Sequence, residues 1–95
     1  MNFGTALELI KHGQKVRRAG WNGSNMFLVL AGGYSVLPEN LRPHSPITAE
    51  NLQDFGVKEM EIVPHIDMWT AQKTYMAGWV PSQLDLFGED WELIK

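Results

Sequence analysis

Four tryptophans, a basic run and a cluster of hydroxyl, amide and carboxylate groups are the side chains of this 95-residue sequence that could do chemistry. Trp21 lies in Ala19-Gly20-Trp21-Asn22-Gly23, a loop marked by its Asn-Gly turn signal. A large ring on a loop is poorly solvated unless it meets something flat, and stacking a base on such a ring contributes about 1–3 kcal/mol. Just before it, Lys15-Val16-Arg17-Arg18 could bring the Arg18 guanidinium to a phosphate while Trp21 holds a base. The same run suits a solvated edge strand whose charges deter aggregation. Ser82, Gln83 and Asp85 supply the donors and acceptors that read ribose hydroxyls and base edges. They also fit plain capping, with Ser82 as N-cap and Asp85 as its acidic partner. Trp91, inside an alternating segment, reads as core.

Signals for catalysis are thinner. His65-x-Asp67 puts two polar groups on one strand face, and such a pair can orient a general base. That pair supports the alternative reading, a small nucleotide-acting hydrolase. No cysteine and no Gly-x-Ser-x-Gly elbow is present. His12, His44 and His65 are scattered without metal-ligand spacing, and Gly32-Gly33 is not a phosphate loop. The chain is therefore expected to bind a nucleotide-like ligand rather than transform it, with no metal and no cofactor.

The elements that must position these groups are short. Phe3, Ala6, Leu7 and Ile10 form one apolar stripe, which predicts a helix over 3–12, capped by Asn2 and stopped by Gly13. Five or six short strands are expected, over 14–18, 26–30, 59–63, 65–70, 75–80 and 90–94 with 34–37 as a further candidate, and a hairpin turn at Gln72-Lys73. Pro38, Pro43 and Pro46 predict an extended surface loop over 38–47. Thr48 is placed to cap a helix ending at Gly56 and burying Leu52 and Phe55, and Ser82 to cap a helical turn over 82–87. The sum is one α+β domain spanning 1–95, an antiparallel β-sheet with its helices packed on one face.

Ninety-five residues give a thin core. The net charge of −3 divides unevenly: residues 1–45 carry +3 and residues 46–95 carry −6. An acidic chain is a poor generic DNA binder, while halves of opposite sign favour self-association. No apolar run approaches the ~20 residues of a membrane helix, so no membrane role is expected. Absence of cysteine fits a reducing cytoplasm.

The order of short blocks is itself informative. Met1-Asn2-Phe3-Gly4 is followed by Val16-x-Arg18-x-Gly20-Trp21-Asn22-Gly23, Met26-Phe27-Leu28 and Pro64-His65-Ile66-Asp67-Met68. Trp79-x-Pro81-Ser82-Gln83-x-Asp85 and Glu89-Asp90-Trp91 complete the series. This pattern resembles the phage anti-Thoeris sponge family of the second type over nearly the whole chain, with residues 38–58 least family-like. The resemblance implies a non-enzymatic phage protein in the host bacterial cytoplasm. Its ligand would be the Thoeris immune signal, a cyclic ADP-ribose isomer (1''–3' glycocyclic ADP-ribose), sequestered and not degraded. It further implies a homo-oligomer, a tetramer, with ligand at subunit interfaces, and for some relatives a separate site for cyclic di- or trinucleotides. A core this thin hardly encloses such a ligand alone, since ligand pockets run to about 300–1,000 Å³. The expected ligand contacts are Trp21, Asn22, Arg18, Asp67, Trp79, Ser82, Gln83 and Asp85.

Overall fold

Helix α1 (Phe3–Lys11) shows why the chain begins as it does. The Asn2 side chain accepts from the Thr5 amide at 2.8 Å, and Gly13, at φ +83°, turns the chain away in the left-handed region. Nine residues make a marginal helix alone, so burial of Ala6 and Ile10 must hold it. In the computed structural model, which describes residues 1–95, they pack with Val16, Leu28, Met68 and Trp91 as the core. Burying each of the larger aliphatic residues stabilises by about 1.5–3 kcal/mol.

The chain forms two compact units, residues Met1–Ala31 with His65–Lys95, and Gly32–Pro64. The first unit holds β1 (Lys15–Arg18), β2 (Phe27–Ala31), β5 (His65–Trp69), β6 (Tyr75–Met76) and β7 (Trp91–Ile94). Their order in the sheet is β6-β5-β2-β1-β7, antiparallel throughout. Helix α1 lies against β1, β2 and β7, and α3 (Gln83–Phe87) touches α1. The second unit holds the hairpin of β3 (Tyr34–Val36) and β4 (Met60–Ile62), a turn of 3-10 helix at Pro38–Asn40, and α2 (Ala49–Phe55).

The architecture is the expected α+β with antiparallel sheets and three helices, and several details differ. Residues 38–47 are not wholly extended, because Pro38 opens the 3-10 turn. Within the second unit, helix α2 packs with that turn. Leu52 is buried at its core side, but Phe55, expected inside, is 66% exposed. Strand β6 stops at Met76 instead of reaching residue 80, since Gly78 takes φ +81° and Trp79 turns in to bond Ile66 O at 2.8 Å. The hairpin at Gln72-Lys73 forms as expected, with Lys73 at φ 62° and the hydroxyls of Thr70 and Thr74 bonded to each other at 2.6 Å.

Candidate functional site

Strand alternation sorts the basic run. Val16 and Arg18 share one face of β1, and Val16 is fully buried, so Arg18 emerges at the edge of the core while Lys15 and Arg17 point away from it. The pairing of β1 with β7 sets Arg17 opposite Glu92 and Arg18 opposite Trp91. Arg17 Nε accordingly donates to Glu92 Oε1 at 2.7 Å, with both side chains nearly half exposed. Arg18 instead turns to two carboxylates: Nε donates to Asp90 Oδ1 and Nη1 to Asp85 Oδ1, both at 2.9 Å.

Asp85 is the centre of this arrangement. Ser82 caps α3, its hydroxyl accepting from the Asp85 amide at 3.1 Å, while Asp85 Oδ2 accepts from the Ser82 amide at 2.9 Å. The capping box read in the sequence is therefore present. The other oxygen, Oδ1, accepts from Arg18 and also from Trp21 Nε1 at 3.2 Å. The Asp85 carbonyl accepts from Trp91 Nε1 at 2.9 Å. Burial opposes the charge on Asp85, but the bonds from Ser82, Arg18 and Trp21 outweigh it and hold the carboxyl below its ordinary range. Asp90 is lowered by the Arg18 guanidinium and by the Gly20 amide, which donates to Oδ2 at 2.7 Å. The two carboxylates in turn raise Arg18 further. Gly20 and Gly88 are required by contact: a Cβ on Gly20 would stand 2.7 Å from Asp90 Oδ2, and one on Gly88 2.9 Å from Arg18 Nε.

This network fixes Trp21. Its ring meets Trp91 edge-on at 5.4 Å and Trp79 at 6.4 Å, and Phe3 adds a contact to Trp91 at 5.3 Å. The loop tryptophan is thus half-buried and anchored at its indole nitrogen, not free on a flexible loop. Beside it opens a cavity of about 300 Å³, lined by Arg17, Arg18, Trp21, Asn25 and Glu92, among others. Asn25 holds φ 62°, a conformation asparagine tolerates better than most residues.

Of the eight residues expected at a site, Arg18, Trp21, Ser82 and Asp85 form one bonded group, and Trp79 joins through ring contact. Only Arg18 and Trp21 line the cavity. Asn22 and Gln83 are exposed outside the network. Asp67 lies apart: buried, it accepts from the Tyr75 hydroxyl, from the Gly78 amide at 2.7 Å, and faces His65 Nε2 at 3.3 Å. It ties β5 to β6 and to the turn leading to Trp79. Sequence reasoning missed Arg17 and Asn25 as cavity residues. The polar loop Gly23-Ser24-Asn25 was the available signal for Asn25, whereas Arg17 shows only once β7 is placed beside β1. No group of three His, Asp or Glu side chains converges as a metal site, and no helix is long and apolar enough to cross a membrane.

Comparison with known proteins gives two findings. Residues 1–94 match the family model described as Thoeris anti-defense 2-like domain. The chain is also 36% identical over 101 residues to a protein of Bacillus phage SP01 named Thoeris anti-defense 2, covering all of this chain and 96% of that protein.

Proposed function

This chain belongs to the Thoeris anti-defense 2-like family, and from that premise we propose that it binds and sequesters the Thoeris immune signal, a cyclic ADP-ribose isomer, without degrading it. It would act in the host bacterial cytoplasm. The observation that carries the reading is the cavity beside Trp21, where an anchored indole, a half-exposed arginine and an asparagine meet. A base stacks on the Trp21 ring, and Arg17 reaches the pyrophosphate by exchanging its exposed partner Glu92, an ion pair of little net stability. Arg18 and Asp85, which bind each other, hold Trp21 in place with Ser82 and Trp79. Asn22, Gln83 and Asp67 lie outside this cavity.

A cavity of about 300 Å³ is at the small end for a dinucleotide-sized ligand. A second copy of the chain would enlarge it, and together with the family resemblance this supports a homo-oligomer, proposed as a tetramer. Val80, Leu84 and Phe87, near one another in the chain, support association, being 79%, 77% and 80% exposed. Apolar groups so exposed are favoured sites of association. The alternative reading is the hydrolase, since His65 Nε2 and Asp67 Oδ1 face each other at 3.3 Å.

The test is recovery of the ligand. The cyclic isomer is incubated with excess protein, the free fraction is removed by filtration, and the protein is heat-denatured. Depletion from the filtrate and intact release on heating are expected. A cleaved product that accumulates with time at substoichiometric protein would replace this reading with the hydrolase.

A further inference from the structure

We propose that the second unit carries a binding site of its own, for a small ligand with a flat apolar body and a single anionic group. Register in the β3–β4 hairpin pairs Tyr34 with Ile62 and Val36 with Met60. Those four side chains therefore share one face, and Ser35 and Glu61 share the other. A two-stranded ribbon is marginal by itself, and its apolar face needs cover. Residues 40–46 lie over that face only in part and leave a cavity of about 590 Å³, larger than the one beside Trp21. The volume falls within the range of small-molecule sites, about 300–1,000 Å³.

The charge at its mouth selects the ligand. Arg17 and Arg18 are both held by carboxylates, whereas Arg42 takes part in no ion pair. Arg42 and His44 line the cavity as exposed residues, so one guanidinium and one imidazole are available to an incoming anion. A guanidinium with no internal partner is suited to bidentate recognition of a carboxylate or phosphate. Val36, Leu41, Met60 and Ile62 offer it a hydrocarbon floor, and Tyr34, 59% exposed, offers a ring. Other polar side chains are few. The Ser45 hydroxyl already donates to Ile47 O at 2.6 Å, which leaves Asn40. A sugar-rich or multiply charged molecule would find too few partners, and an aryl or acyl anion finds both of its halves matched.

The test is a nuclear magnetic resonance titration of the ¹⁵N-labelled full chain with phenyl phosphate, and separately with inorganic phosphate and phenol. Saturable amide shifts confined in this unit to residues 34–46 and 60–62 are expected. Affinity for either half-molecule should be at least about fivefold lower, as should that of Arg42→Gln for phenyl phosphate. Trp21→Ala should leave this titration unchanged, which separates it from the site in the first unit. Arg42 is exposed, so its loss leaves the fold intact. Absence of saturable shifts in this segment, equal affinity for phosphate alone or phenol alone, or an unaltered Arg42→Gln titration would each overturn the proposal.

Discussion

Replacing Asp85 by Asn tests whether one carboxylate organises the region around Trp21. The amide is isosteric but has one acceptor where the carboxylate has two. If its oxygen serves Arg18 and Trp21, its NH₂ faces the Ser82 amide, and if it turns over, Arg18 and Trp21 face a donor. Either way at least one donor loses its acceptor, at a cost of about 1–3 kcal/mol, and the Arg18 bond loses its charge assistance. Asp85 is 8% exposed, so water compensates little. The expected loss is on the order of 2–4 kcal/mol, a large share of the roughly 5–15 kcal/mol that stabilises a domain. For a chain of this length that lowers the melting temperature by on the order of 10–30 °C. Thermal melts followed by circular dichroism at pH 7 measure it directly. The pH dependence supplies an internal control. Because Asp85 and Asp90 are held below their unfolded values, their stabilisation is complete above the ordinary carboxylate range near pH ~4 and is lost as pH falls through the lower folded values. The gap between wild type and Asp85→Asn should therefore narrow in acid, where the wild-type carboxyl is protonated too. A variant melting within about 2 °C of wild type at pH 7 would refute the reasoning, as would a gap that persists undiminished at the lowest pH.

Three other outcomes follow from the same geometry. Trp21→Ala should weaken binding of the cyclic ADP-ribose isomer by about 1–3 kcal/mol, roughly 5- to 150-fold by calorimetry, and an unchanged affinity in the folded variant would make Trp21 purely structural. Gly88→Ala places a Cβ 2.9 Å from Arg18 Nε and 3.0 Å from Asp90 Oδ1, and overpacking of this kind costs about 1–3 kcal/mol in a chemical melt. Leu84→Asp puts a carboxylate in the first turn of α3, where the helix dipole favours it, so the fold should survive while light scattering shows a lower mass than wild type.

The legibility of the site follows the range of the interactions. Ser82 and Asp85 were readable as a capping box because both partners lie within one helical turn. Phe55 was misplaced because helical spacing says which residues share a face and not whether anything covers that face. The sequence offers Arg18 either to a phosphate or to solvent, because its two carboxylates come from residues 85 and 90, far along the chain. Trp21 was recognisable as special from its loop, but its anchoring through Asp85 and its edge contact with Trp91 were not.

What the amino-acid order determined alone is therefore local: the caps at Asn2, Thr48 and Ser82, the stops at Gly13 and Gly56, and the alternation that makes Met60–Ile62 and Trp91–Ile94 strands. Each depends on groups a few residues apart, whose geometry backbone sterics and short hydrogen bonds dictate. Tertiary structure alone decided that β7 pairs with β1, placing Trp91 beside Arg18 and Glu92 beside Arg17. Periodicity tells a strand which face is apolar but not which distant strand it meets. That choice rests on burying Ala6, Ile10, Val16, Leu28, Met68 and Trp91 together, a free energy shared by the whole core and written in no single segment.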